Sequence, residues 1–255
     1  MNVDRVNVLG VGISALNMEL AAQFITDAVR QRRKGYVCVT NVHAVMEGFD
    51  DPRVKAAING SMLSTPDGMP LVWLGRLAGR KEMGRVYGPD LMLRLCGDSC
   101  REGFRHFFYG GANGAAAEMA ARLAERFPGL TVAGIYEPPF RSLTGMEEGA
   151  LTEMVRAARP DFFWVGLSTP KQDKFMAEYL SKLEVTVMLG VGAAFDFHSG
   201  RIRQAPAWMQ RIGLEWLFRL CMEPRRLWKR YLKHNPRFVY HVVRQLLGLE
   251  KFDLP

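Results

Sequence analysis

Short apolar runs, separated by helix-length amphipathic stretches, govern what this chain can become. The runs fall at 6–9, 36–40, 62–64, 106–109, 131–135, 162–166 and 185–189. Several are continuous rather than alternating, as in strands buried on both faces. Helical patterns lie between them, at 17–33, 52–59, 89–99, 115–127, 147–158 and 171–183. This alternation predicts an α/β fold: a Rossmann-like, mostly parallel sheet flanked by helices. Past Gly200 the strands stop, and the remainder reads as a helical appendage broken at Glu223-Pro224 and Asn235-Pro236.

Charge follows the same division. Residues 201–255 hold 12 Lys/Arg and 4 Asp/Glu, whereas residues 1–200 hold 22 of each, so the whole net charge of +8 lies in the tail. Trp208, Trp216 and Trp228 are there too. Arg and Lys mixed with Trp, Leu and Tyr suit an interface-lying helix better than nucleic acid. A solvated basic helix pair packed on the body competes with that reading. The 255 residues, 48% of them hydrophobic, supply a substantial core. Cys38, Cys96, Cys100 and Cys221 are scattered; buried, reduced thiols and a cytoplasmic setting are expected. The N-terminus shows no secretory pattern, and no apolar run approaches the ~18 residues of a membrane span.

In open parallel sheets, ligands bind at the carboxyl ends of the strands. There the chain places Asn41, the Pro66-Asp67-Gly68 turn, the run Gly110 to Gly114, the stretch Ser168 to Asp173 and the run Gly190 to Asp196. Asp in a turn often only caps backbone N–H groups. Gly110 to Gly114, feeding a helix, suits phosphate, or is an ordinary packed βα turn. Gly10 to Ala15 imitates a dinucleotide fingerprint, but no acidic residue closes the next strand, so a plain turn is expected. Asp-x-Asp is absent, which removes the usual metal–diphosphate clamp; no metal is expected. His43 is expected to be structural, and the aromatic residues at 107, 108 and 162–164 to be core.

Together these strand ends resemble the WecG/TagA/CpsF family of bacterial glycosyltransferases. The likeness runs from about Tyr36 to Phe238. It rests on Thr40-Asn41, Pro66-Asp-Gly-Met-Pro70, Arg85-Val-Tyr-Gly-Pro-Asp90, Phe108-Tyr-Gly-Gly111 and Gly166-Leu-Ser-Thr-Pro-Lys-Gln172. Further along come Gly190-Val-Gly-Ala-Ala-Phe-Asp196, Arg203-Gln-Ala-Pro206, Gly213-Leu-Glu-Trp216 and the stretch Arg219 to Trp228. Departures are Ser168, where the family has glycine, Asp173, where Glu is usual, and Thr40 directly preceding Asn41 in place of Thr-x-Asn.

The resemblance implies inverting transfer of a sugar, of N-acetylmannosamine or hexose type, from a UDP-sugar to a polyprenyl-diphosphate-linked acceptor, in cell-surface polysaccharide synthesis. No cofactor beyond the donor substrate is implied. Asp67 becomes the catalytic base. Thr40, Asn41, Gly68, Arg85, Gly88, Gly110, Gly111, Asn113, Gly166, Pro170, Gln172 and Asp196 become substrate-binding candidates; Asp196 serves equally as a structural cap. Arg219, Arg225, Arg226 and Arg230 would neutralise the leaving diphosphate or meet an anionic membrane. The expected divisions are 1–103, carrying the Asp-Gly turn, 104–200, binding the nucleotide sugar, and the appendage 201–255. The protein would act at the inner membrane face, with a homo-oligomer possible and no nucleic-acid partner. A different α/β nucleotide-binding enzyme and a non-catalytic membrane module are the alternatives.

Overall fold

The computed structural model describes residues 3–254. Its first elements are β1 (Arg5–Val8), β2 (Val11–Ser14), α1 (Met18–Arg30), β3 (Gly35–Thr40), α2 (Val42–Asp50), α3 (Pro52–Asn59), β4 (Leu63–Pro66) and α4 (Met69–Leu77). Next come α5 (Gly88–Glu102), β5 (Arg105–Gly110), α6 (Ala115–Arg126), β6 (Thr131–Tyr136), α7 (Gly145–Ala158), β7 (Phe162–Gly166), α8 (Lys171–Tyr179) and β8 (Val187–Gly190). Four helices finish the chain: α9 (Ala194–His198), α10 (Ala207–Arg211), α11 (Glu215–Met222) and α12 (Pro224–Leu246).

Six strands form one sheet in the order β4-β3-β8-β7-β5-β6. The pairings β3–β8, β8–β7, β7–β5 and β5–β6 are all parallel. This is the expected layered α/β architecture. Every residue of β3, β4 and β8 is buried, which is why their sequences do not alternate.

Three expectations need correcting. The Gly10 run is more than the plain turn expected: Leu9 and Gly10, at φ 54° and 82°, make the turn, and Val11–Ser14 continue as β2, closing a hairpin with β1. The helices α2 and α4 were not expected, because each begins directly after a strand. The appendage does not break at Pro236, which lies inside α12. Proline there removes the bond to the Leu232 carbonyl, but both residues face water, and the opposite side of the helix is held by packing. The thiols are free, yet only Cys38 and Cys96 are fully buried; Cys221 is exposed.

Contacts divide the chain into two compact units, each discontinuous in sequence. One takes the N-terminal segment through Met18, residues 39–87 and everything from Gln204 onward. In it α12 packs on α2, burying Leu227, Phe238 and Val242. Gln245 accepts from the Leu9 N–H at 3.0 Å and donates to the Asn7 carbonyl at 3.0 Å. Arg237 and Lys233 pair with Asp50 and hold its carboxyl near 2, well below the usual range. The tail is thereby stitched to the segment carrying the Asp-Gly turn.

The other unit comprises residues 19–38 and 88–203. Phe107, Phe108, Phe162, Phe163 and Trp164 are its fully buried centre, as expected. The Trp164 indole N–H donates to His106 Nδ1 at 2.9 Å, and burial drives that imidazole down to about 3, so it is neutral. The α7 helix opens on a reciprocal capping box between Thr144 and Glu147.

Candidate active site

The Asp67 turn is built from backbone bonds. β4 ends at Pro66, Gly68 caps α4, and Pro70 stands in its first turn. Gly68 has φ −96°, open to any residue, so its missing side chain is not what shapes the turn. The Asp67 N–H donates to the Thr40 carbonyl at 2.8 Å, and Val86 N–H to the Pro66 carbonyl at 2.8 Å. Arg85 Nε donates to the Asp67 carbonyl. These bonds tie the turn to β3 on one side and to residues 85–86 on the other.

The Asp67 side chain is 18% exposed. Its Oδ2 accepts from Asn41 Nδ2 at 3.4 Å; its Oδ1 lies 3.7 Å from the Arg85 guanidinium and has no hydrogen-bond partner. Burial lifts the carboxyl from its ordinary 3.8 to about 6; Arg85 is the main opposing influence, and Glu215 adds to the rise. Asn41 is fixed as the N-cap of α2, accepting from Ala44 N–H at 3.1 Å. Thr40 is buried and hydrogen-bonded to Ser64 at 2.8 Å. Of the two adjacent residues, Asn41 therefore lines the site, and Thr40 serves it through its carbonyl.

Arg85 is the hub. Its guanidinium meets Glu215 in a short ion pair, donates to Gln210 Oε1 at 2.9 Å and lies over the Tyr87 ring at 4.1 Å. Glu215 and Gln210 come from α11 and α10, so the C-terminal helices hold the arginine beside Asp67. Neither residue was singled out as a site residue, because no local pattern announces a partner 130 positions away.

A cavity of about 520 Å³ opens at Asp67, within this one unit. Asn41, Gly68 and Arg85 line it, as do Arg219 and Arg230. Arg230 Nε is buried with no hydrogen-bond partner among the described residues, and burial lowers this group to about 10. A buried cation of that kind is suited to an anionic ligand. Arg225 and Arg226 do not line the cavity; both are exposed, and Arg226 pairs with Glu223 at 2.9 Å.

His43, Glu47 and His234 also meet here, with one donor atom from each within 4.8 Å of the others. By ligand type they could hold a divalent ion. Lys233, Arg230 and Arg237 all bear on His234, however, and that positive field opposes a cation, with Asp50 acting the other way. His43 is not simply structural: it lines the cavity and packs edge-on against His234 at 4.8 Å.

The remaining candidates lie in the other unit. Gly110 and Gly166 have a packing reason: a Cβ on Gly110 would stand 2.7 Å from the Gly166 backbone, and one on Gly166 would stand 2.6 Å from the Phe195 ring. Gly111 and Asn113 adopt φ 76° and 54° in the turn before α6. The N-terminal N–H groups of α6 already hold an anion, since Glu137 accepts from Gly114 at 3.0 Å and Ala116 at 3.2 Å. Gln172 is buried with Oε1 lacking a hydrogen-bond partner. Beside it Asp173 is buried and raised to about 6 by desolvation. Ser168, in the family's glycine position, sits at φ 62°, where glycine is favoured. Pro170 immediately precedes α8, and Gly88 opens α5. The Asp196 carbonyl accepts from Arg201 and Ile202.

Residues 6–252 match the model of the glycosyl transferase WecG/TagA/CpsF family. The chain is 29% identical over 219 residues to an N-acetylglucosaminyldiphosphoundecaprenol N-acetyl-beta-D-mannosaminyltransferase of Bacillus spizizenii, covering 86% of this chain and 82% of that one. The enzyme of the same description from Bacillus subtilis is 27% identical over 217 residues, covering 85% of this chain and 82% of its own.

Proposed function

This chain belongs to the WecG/TagA/CpsF glycosyltransferase family, and from that premise we propose that it moves an N-acetylmannosamine-type or hexosyl unit from a UDP-sugar to a polyprenyl-diphosphate-linked sugar, inverting the anomeric centre. The observation that carries the reading is Asp67: a fixed, desolvated carboxylate on the wall of a cavity lined by arginines, ion-paired with Arg85 at 3.7 Å and, among the described residues, with no hydrogen bond to its Oδ1.

The chemistry follows. Oδ1 of Asp67 takes the proton of the acceptor hydroxyl as that oxygen attacks the anomeric carbon. The bond from that carbon to the diphosphate breaks, and UDP leaves with the electron pair. A base near 6 is ionised at neutral pH yet more basic than an ordinary carboxylate, which suits proton abstraction. Arg219 and Arg230 supply positive charge where diphosphate gathers, and no metal is required for that part. The names of the two relatives support N-acetylmannosamine as the unit transferred and a lipid-linked N-acetylglucosamine as its acceptor. Exposed Trp208, Trp216, Trp228 and Leu232, among the tail's cations, support a peripheral seat on the membrane. Among the described residues no helix is long and apolar enough to cross it.

The test is a panel of UDP-sugars offered with a lipid-diphosphate N-acetylglucosamine acceptor, with and without EDTA. Transfer from UDP-N-acetylmannosamine that survives chelation is expected. Transfer from none of the panel would sink the reading, and loss on chelation restored by Mg²⁺ or Mn²⁺ would assign a metal to the site.

A further inference from the structure

The cavity at Asp67 has two unlike ends. The near end is polar and carries Asp67, Arg85, Arg219 and Arg230. The far end is apolar, with Trp73 and Leu77 from α4 facing Phe238, Val239 and Val243 from α12. The lining positions recur at helical spacing: 70, 73, 74 and 77 on α4, and 231, 234, 235, 238, 239, 242 and 243 on α12. On α4 these positions are apolar throughout, and on α12 the row passes from Tyr231, His234 and Asn235 to the apolar positions 238, 239, 242 and 243; α4 itself begins two residues after the carboxylate. From Arg230 to Val243 the groove between the two helices follows α12 for roughly 20 Å at 1.5 Å per residue.

Its walls are poorly covered. Trp73 is 48% exposed, Leu77 69%, Val239 60% and Val243 47%. Large apolar side chains gathered beside a catalytic carboxylate mark a binding surface. A sugar or a nucleotide has no use for a long apolar trough. A molecule with an anionic head and a linear hydrocarbon tail matches both ends.

We infer that the groove between α4 and α12 binds the first isoprene units of the acceptor lipid, drawing that stretch of chain onto the protein and setting the acceptor sugar at Asp67. The inference rests on the proposed transferase reading and adds a lipid-binding site to it. Trp73, Leu77, Val239 and Val243 become determinants of acceptor specificity. They contact the chain and leave the reacting atoms alone.

The experiment removes the bilayer. Full-length protein is assayed without vesicles or detergent, on N-acetylglucosamine diphosphates bearing methyl, geranyl or farnesyl tails. Each buried methylene contributes about fourfold in affinity, so KM is expected to fall by at least ~10-fold with each isoprene unit added. Leu77→Asp and Val243→Asp, both at exposed positions, should flatten that dependence, read as the ratio of the methyl to the farnesyl KM. Leu77→Ala repeats the test with a milder change. A KM indifferent to tail length, or a dependence that survives all three variants, overturns the groove and leaves bilayer insertion as the role of these side chains.

A second readout needs no turnover. Farnesyl diphosphate should change tryptophan fluorescence saturably in the wild type and not in Trp73→Phe. No saturable change overturns the groove. The two ideas fail separately. Transfer without tail dependence sinks the groove alone; a Trp73 signal without transfer to any acceptor sinks the reaction and keeps the lipid site.

Discussion

At the residue scale the proposed chemistry rests on Asp67 and Arg85, and their ionisation can be tested directly. Only the carboxylate form accepts a proton, so kcat/KM should fall as pH drops through about 6. Arg85 lowers that value, so Arg85→Gln should move the acid limb to higher pH; an unmoved limb would mean that another group is titrating. Asp67→Asn should keep the fold and reduce kcat by ~10²–10⁴-fold. It should also not cost stability. A carboxyl raised on folding binds more protons folded than unfolded between 3.8 and about 6, so its contribution declines across that window and stays low above it. Removing the charge at pH 7.5 is expected to raise stability by up to ~2 kcal/mol, read from thermal melts. The turn around Asp67 was legible in the sequence, as a carboxylate between Pro66 and Gly68 after an apolar run, whereas the role of base came only from the family resemblance. The raised pKa of the carboxyl was not legible, because desolvation comes from distant chain.

Elements show where local rules were overruled. Proline marks a break in sequence terms, yet α12 continues through Pro236 for 23 residues in all. Leu227, Phe238 and Val242 bury one side of the helix on either flank of the proline, and that packing outweighs one lost hydrogen bond at a wet position. Pro236→Ala should therefore raise stability by about 1–3 kcal/mol in denaturant unfolding, without moving kcat. A loss of stability would show that the packing of α12 makes use of the proline ring. The helices α2 and α4 escaped notice for a related reason: each starts within three residues of a strand end, with no long loop to announce it. The glycine turn before α6 was read as suited to phosphate, and the fold supplies Glu137 to those N–H groups from 21 to 23 positions downstream.

At the scale of the whole molecule, the tail's cations divide between inward and outward roles. Arg219 and Arg230 point into the cavity, whereas Arg225 and Arg226 are exposed. Arg225→Glu with Arg226→Glu should weaken binding to anionic vesicles, each changed cation removing about 1 kcal/mol of attraction, with turnover of a water-soluble acceptor retained. Equal co-sedimentation of the variant and the wild type would remove these two side chains from any membrane contact. Deleting the tail is a poor test, because it would uncover α2 and strip Arg85 of Glu215 and Gln210. By itself the sequence determined the alternation of strand and helix, the parallel sheet, the Asp67 turn and the basic tail. Each of these is written in neighbouring residues, through hydrophobic period, turn chemistry and charge count. Tertiary structure alone decided that the tail folds with the Asp67 segment, that two of the four candidate arginines of the tail reach the cavity, and that α4 and α12 border a groove. Those outcomes depend on contacts between positions more than a hundred residues apart, and no local pattern encodes them.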